Sequence, residues 1–243
     1  GVSAGASVGA SSVIVFGSML TSGGVMLGLS AISLGAFGGA IIASVIIYRL
    51  ATGPQGTSVA TMLLAGIAIS ALAGAATNTL SYLADNDMLR RISLWQMGNL
   101  QGASWERVGL GALTAGCLAV LIPRETGALN AMLLGESEAR HLGVNVEWLK
   151  RRLIIYSALG VAISVAIAGV IAFVGLMVPH LIRLLVGPDH RSLLPLSALA
   201  GAILLVAADA LARVVIAPAE LPVGIVTALL GAPFFLWLLV LQR

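Results

Sequence analysis

Side chains able to do chemistry are few in this sequence, and three groups of them stand out by type and spacing. Asp209 and Arg213 lie four residues apart, the spacing that puts an acid and a base on one helix face as an ion pair. Glu136, Glu138, Arg140 and His141 crowd a polar island that opens at Leu129-Asn130 and closes on the bases Lys150, Arg151 and Arg152. Thr77, Asn78 and Ser81 place hydroxyl and amide groups on nearby faces of one apolar run. None of these is a catalytic constellation, and an island this short cannot be a catalytic domain. Lys150 is the single lysine and Arg151 follows it, so the Gly-Lys-Ser or Gly-Lys-Thr of a phosphate-binding loop is ruled out. Any ATP used must be bound by another chain. His180 and His190 are separated across a loop, His141 sits in the island, and no Cys/His cluster has metal-ligand spacing. The chemistry on offer is docking and pairing, not bond-making: no catalytic residue, no metal and no cofactor is assigned to this chain.

The elements that must position these groups are set by composition. Of the 243 residues 59% are hydrophobic and 9% charged, where soluble domains run near a quarter charged, so the bilayer is the solvent. The net charge of +3 is explained by the placement of the bases and calls for no nucleic acid. The single cysteine, Cys117, lies in an apolar run and is read as a packing residue. The chain opens Gly1-Val2-Ser3 with no Met, basic n-region or cleavage site. No signal peptide is read there, and the start is expected to be cut from something longer.

A span needs about 20 apolar residues. The pattern predicts an all-α polytopic protein with eight helices, at 3–20, 26–49, 57–83, 107–122, 153–172, 175–187, 193–216 and 222–241. Breaks fall at Thr21 to Gly24, Thr52 to Gly56, Asp85 to Glu106, Pro123 to Arg152, Val174 to Pro179, Gly187 to Asp189 and Ala217 to Pro222. Placing the 124–152 loop inside gathers Arg49, Arg124, Arg140, Lys150, Arg151, Arg152, Arg183, Arg191 and Arg243 on the inner side. It leaves Arg90, Arg91, Arg107 and Arg213 outside, as the positive-inside rule requires. Both ends of the chain are then cytoplasmic. The 175–187 segment covers roughly 20 Å of a core about 30 Å thick. It is read as a short buried helix, with an ordinary proline-kinked helix as the alternative. Ala31, Gly35 and Gly39 repeat at four-residue spacing, so helices can approach closely there.

In the island, Leu129, Met132, Leu133, Ala139 and Leu142 can share one side of a helix, with Glu136, Glu138 and Arg140 opposite. Gly143 is a good C-terminal stop and Asn145 can cap a second short helix through Trp148. From the residues alone, a docking element and a solvated loop resting on the membrane surface are equally served.

The pattern Gly135-Glu136-x-x-Ala139-x-x-Leu142-Gly143 resembles the coupling motif of ABC importer permeases of the vitamin B12, ferric siderophore and haem type, the FecCD family. Further blocks resemble the same family in order along the whole chain. They are Gly1 to Ala6, Gly169 through Phe173-Val174-Gly175-Leu176 to Pro179-His180-x-x-Arg183, Asp189-His190-Arg191-x-Leu193-Leu194-Pro195, Ala208-Asp209-x-x-Ala212-Arg213, and Glu220 to Gly224 with Gly231-Ala232-Pro233. The resemblance implies a ten-span fold of which this chain carries spans three to ten, as one permease domain over 1–243 that lacks its first two spans. The loop 129–152 would lie within that domain as the cytoplasmic coupling-helix element. It further implies an inner-membrane importer of iron chelates, haem or ferric siderophore, with vitamin B12 as the alternative cargo. A homodimer of permeases, two ATPase subunits holding ATP and Mg, and a periplasmic binding protein are the implied partners.

By the same resemblance Gly135, Glu136, Ala139, Arg140, Leu142 and Gly143 couple to the ATPase, and Arg213 meets a glutamate of the binding protein. Thr77, Asn78, Ser81 and Thr227 are the residues implied to line the pathway, although hydrogen bonding between helices would serve the α-helical Thr77, Asn78 and Ser81 equally. An ion-coupled secondary transporter is the rival from another class, and Asp209 is the one intramembrane acid that it could use.

Overall fold

Hydrocarbon offers no water to an unpaired backbone N–H or C=O, so a chain this apolar must satisfy its backbone within helices. A computed structural model describes residues 1–20, 25–54, 56–101, 103–215 and 221–241, and they form an all-α polytopic fold. The helices are α1 (Val2–Leu20), α2 (Val25–Ala51), α3 (Val59–Leu83), α4 (Asn86–Gln96), α5 (Trp105–Leu121), α6 (Thr126–Met132), α7 (Glu136–His141), α8 (Val146–Ala168), α9 (Val174–Val186), α10 (His190–Val214) and α11 (Val223–Leu241). A 3₁₀ turn, Ile122–Glu125, joins α5 to α6. A small antiparallel hairpin pairs Thr52 with Thr57 and Gly53 with Gly56 between α2 and α3. The eight expected spans correspond to α1, α2, α3, α5, α8, α9, α10 and α11. Large apolar side chains point outward along them, among them Leu63, Leu64 and Ile67 on α3 and Leu199, Ile203 and Val206 on α10, as befits helices solvated by lipid. The expected breaks at Thr21 to Gly24 and Ala217 to Glu220, and the terminal Arg243, lie outside the described residues.

The chain divides into two compact units. The first comprises Gly1–Gln96, Ser104–Leu118 and Glu147–Val170. Its core is built from small residues: Ala6 and Ala10 of α1, Ala36 and Ala40 of α2, and Ala162 of α8 are all fully buried. The glycines explain why. A methyl group at Gly9 would land on the Gly35 carbonyl oxygen, and one at Gly39 on the Gly5 carbonyl oxygen. The α1 and α2 backbones therefore touch, which gives the van der Waals packing that holds helices together where no hydrophobic effect acts between them. Gly35 and Gly39 thus do what their spacing suggests. A second cluster joins Ile14 and Val15 of α1 with Leu80 of α3 and Ile92 of α4. The hairpin is pinned to α8: the Thr57 N–H donates to Glu147 Oε2 at 2.9 Å, and Lys150 Nζ donates to the Thr57 carbonyl at 2.8 Å. The lone lysine is therefore buried and engaged, not a surface base.

The second unit comprises Met97–Ala103, Ala119–Val146 and Ile171–Arg243. Met177, Val178 and Ile182 of α9 pack on Leu193 of α10, with Phe234 and Phe235 of α11 closing the cluster. Phe173 starts α9 at φ 67, an unusual conformation for a bulky residue. Its ring lies 6.2 Å from that of Phe235, and its Cβ sits where a Cβ on Gly231 would be.

Four expectations need correction. The break from Asp85 to Glu106 contains α4, which is started by Asp85: its Oδ1 accepts the Met88 N–H at 2.8 Å, an N-cap contact. Helix α8 begins at Val146 and ends at Ala168, so the short helix expected at Asn145 to Trp148 is its first turn. The irregular stretch before α9 is 169–173, opened by Gly169 at φ 70, and Pro179 sits inside the helix. Being the sixth residue of α9, this proline leaves the Gly175 carbonyl without the usual i−4 bond. Cys117 is exposed on α5 and packs no core.

The α1–α2 seam makes a direct prediction. Gly39→Ala forces a methyl against backbone and should cost about 1–3 kcal/mol, read as a fall of several degrees in the melting temperature of the detergent-solubilised protein. Gly38→Ala, one residue away with nothing within 4 Å of its would-be Cβ, should leave the melting temperature unchanged or raise it.

Candidate functional site

The polar island folds as two short helices with a tight turn between them. The single helix expected from Leu129 to Leu142 is split: α6 ends at Met132, Leu133 to Gly135 form a turn, and Gly135 leaves helical geometry at φ 104 and ψ 157. Their N–H groups turn back three residues instead, Leu133 to Asn130, Leu134 to Ala131 and Gly135 to Met132, at 3.1–3.2 Å. The turn is hydrogen-bonded throughout, so α6 and α7 form a stiff corner.

Helix α7 is bracketed by two glycines that no other residue replaces cheaply. Gly135 stands at its N-cap with φ 104 and ψ 157, a region essentially reserved for glycine. Gly143 follows its C-cap at φ 84. There the Gly143 N–H donates to the Arg140 carbonyl and the Val144 N–H to the Ala139 carbonyl, both at 3.0 Å. These are the paired bonds of a Schellman stop. Between the brackets Ala139 is fully buried, so the small residue of the motif is the foot on which α7 stands. Glu136 opens the helix, where the dipole favours an anion, and Arg140 approaches it to 4.0 Å on the exposed face. Splitting the helix also changes which apolar groups share a side. Leu134 is 66% and Leu142 63% exposed, and Leu133 is exposed as well. Ala139 faces inward, away from Leu133 and Leu142, contrary to the single apolar stripe expected. Three leucines are thus left exposed on a polar corner.

Helix α6 is anchored through Asn130. Asn130 Nδ2 donates to Asp189 Oδ1 at 2.6 Å, while its Oδ1 accepts the His190 N–H at 2.9 Å and faces His190 Nδ1 at 2.8 Å. The backbone N–H fixes the orientation of the amide, so His190 Nδ1 carries the proton. Asp189 also caps α10, accepting the Arg191 N–H at 3.0 Å. That bond first, and the Asn130 amide second, hold its carboxyl below the ordinary aspartate range.

At the other end of α10, Arg213 Nε donates to Asp209 Oδ2 at 2.8 Å and Nη2 reaches Oδ1 at 3.4 Å. The ion pair expected from the four-residue spacing is present. Arg213 nevertheless keeps 47% of its side chain exposed, against 25% for Asp209. Ala208 and Ala212 on the same helix are buried, and the Leu221 N–H caps the helix end on the Ala212 carbonyl at 3.2 Å.

Of the four residues associated with a pathway, Thr77, Asn78 and Ser81 belong to the first unit and Thr227 to the second. Thr77 is buried in the first unit, and its hydroxyl has no hydrogen-bond partner among the described residues. Ser81 Oγ donates to the Thr77 carbonyl at 3.0 Å. Asn78 alone of the three is exposed. Thr227 is fully buried in the second unit and donates to the Gly224 carbonyl at 3.1 Å. Sequence reasoning missed Asn130 and Glu147 as anchors. Their partners lie 59 and 90 residues away along the chain, and no local pattern marks either.

Comparison with known proteins places this geometry. A family model described as the FecCD transport family matches residues 1–241. A hemin transport system permease protein of Yersinia pestis is 46% identical over 245 residues, covering 100% of this chain and 72% of that protein. A cobalamin import system permease protein of Halobacterium salinarum is 44% identical over 242 residues, covering 98% of this chain and 62% of that protein. A solved structure, described as an inward-facing conformation of a metal-chelate type ABC transporter, aligns with TM-score 0.83 at 32% identity. That alignment covers 100% of this chain and 74% of its counterpart.

The glycine brackets of α7 are testable by hydrogen exchange. Gly143→Ala places a Cβ in the left-handed region at a cost of about 1–2 kcal/mol. Opening of α7 amides should become roughly tenfold easier for each 1.4 kcal/mol lost, seen as faster exchange from Glu138 to Leu142. Gly127→Ala, inside α6 with no neighbour near its would-be Cβ, should leave α7 exchange as it was.

Proposed function

Because the chain belongs to the FecCD transport family, we propose that it is the permease part of an ATP-driven importer that carries an iron chelate, haem or a ferric siderophore, across an inner membrane. The observation that carries this is the glycine-bracketed α7. Its outward leucines and Glu136 form a rigid, non-catalytic knob of the kind a separate ATPase can grip. The absence of a phosphate-binding loop from this sequence agrees with ATP and Mg lying on that partner. The bases around α7 and at the start of α8 favour a cytoplasmic position for this corner, with the Arg213 end of α10 on the opposite side. There Arg213 offers a forked, permanently charged donor to a carboxylate of a periplasmic binding protein. Two copies of the permease would enclose the pathway between them. Asn78, exposed on α3, is the residue we assign to its lining, while Thr77, Ser81 and Thr227 act by packing and hydrogen bonding within the chain.

Haem is placed first because the Yersinia pestis relative is named for hemin. Vitamin B12 is the second reading, supported by the relative named for cobalamin. An ion-coupled carrier fits less well, since both oxygens of Asp209 already face Arg213. Uptake by the assembled importer in proteoliposomes, with haem, a ferric siderophore and cobalamin in competition, decides the cargo. Uptake driven by a proton gradient without ATP would overturn the importer reading.

Charge tests bear on the two ends. Glu136→Arg should leave the protein in the membrane while uptake falls at least tenfold relative to ATP hydrolysed; normal transport by this variant would sink the coupling role. Arg213→Glu should weaken binding-protein docking by roughly tenfold, about 1.4 kcal/mol, and a Glu→Arg change on the partner should recover part of it. If Arg213 served only to balance Asp209, the partner's change would rescue nothing.

A further inference from the structure

The contact between α6 and the start of α10 has a role that the motif in α7 does not cover. Asn130 supplies what the first turn of α10 lacks. A helix start leaves backbone N–H groups without intrahelical partners. Here Asp189 takes the N–H of Arg191, and Asn130, from another helix, takes that of His190. The same amide donates to Asp189 and receives from the His190 ring. One side chain is thus tied to both residues that begin α10.

The parts on either side of this joint are stiff. The turn from α6 to α7 is hydrogen-bonded at Leu133, Leu134 and Gly135, and the Leu133 N–H bonds to the carbonyl of Asn130 itself. Helix α10 continues for 25 residues with Pro195 inside it, a length of about 37 Å at 1.5 Å per residue. It ends beside Asp209 and Arg213. A displacement of α7 therefore reaches α10 through three short polar contacts.

We infer that Asn130 is a positioning residue that makes α7 and α10 move as one body, linking the ATPase-facing knob to the helix whose far end carries Arg213. This rests on the coupling role proposed for α7. It adds to that role a path by which a docked binding protein regulates the ATPase. Coupling between the two sites is reciprocal in free energy, so loosening the joint weakens signalling in both directions. Asn130→Ala deletes all three contacts. Asn130→Asp sets a carboxylate against that of Asp189, and Asp189→Asn on the same background restores an amide–carboxylate pair with the roles exchanged, asparagine being as good a helix cap as aspartate.

The experiment uses the complete importer, permeases, ATPases and binding protein, in proteoliposomes. It measures ATPase subunit retention, stimulation of ATP hydrolysis by loaded binding protein, and uptake. The expected result is that Asn130→Ala and Asn130→Asp retain the ATPase subunits but lose stimulation and uptake by tenfold or more, and that the Asn130→Asp/Asp189→Asn pair recovers most of both. Normal stimulation in Asn130→Ala overturns the inference. So does loss of ATPase retention or of thermal stability that the exchanged pair fails to recover, because Asn130 is then only a structural cap. Glu136→Arg, run in parallel, separates this from the underlying reading. If Glu136→Arg is silent, α7 is not the coupling element; if it uncouples while Asn130→Ala is silent, only the joint is wrong.

Discussion

Close backbone contact between α1 and α2 is the interaction on which the first unit depends. In a bilayer the lipid tails are as apolar as leucine, so two helices gain little by hiding leucines from them. What they gain is dispersion, and dispersion falls off within fractions of an ångström. The seam formed by Gly5, Gly9, Gly35 and Gly39 with fully buried alanines brings backbone against backbone, and large residues are left to face outward. This differs from a soluble core, where large aliphatic side chains are among the most buried. The second unit uses the other solution, aromatic and branched side chains from α9, α10 and α11, and there Gly231 makes room for a single bulky residue, Phe173.

With packing left to small and apolar groups, several polar side chains are used at helix ends and turns. Asp85 starts α4, Asp189 starts α10, and Asn130 completes that start from outside. Glu147 and Lys150 hold the hairpin between α2 and α3 by its backbone. Each contact satisfies a backbone group that a helix or turn cannot pair internally, which costs about 1–3 kcal/mol when left buried and unmet. Polar groups so placed do two things at once. They cap a helix or turn, and at Asn130, Glu147 and Lys150 they also tie it to another element. The same economy explains why α7 can be exposed and yet well defined: its shape comes from two glycine conformations and a buried alanine.

The all-α polytopic class, the eight apolar helices and the two glycines that bracket α7 were legible because each rests on local chemistry. A span is a run of apolar residues of the right length. A glycine-only backbone angle at Gly135 or Gly143 requires glycine wherever it occurs. The spacing of Asp209 and Arg213 sets their pairing by helix geometry alone. Helix ends were less legible: α8 starts at Val146, ahead of the first apolar stretch, because its polar first turn is held by contacts to the hairpin. Helix α4 was missed because it is short and polar, with Ile92 its one fully buried side chain.

The sequence by itself determined which segments must be helical, where the polar island lies and that no Gly-Lys-Ser or Gly-Lys-Thr loop is present in it, since these follow from residue type and near-neighbour spacing. Only the tertiary structure decided that the island breaks into α6 and α7, that Thr227 is enclosed, that Lys150 is buried against a hairpin carbonyl, and that Asn130 reaches Asp189 and His190. The reason is physical. Periodicity reports that a residue faces something, whereas a hydrogen bond needs a named partner within about 3 Å. For Asn130 that partner is about sixty residues further along the chain, brought near by packing that no local pattern records.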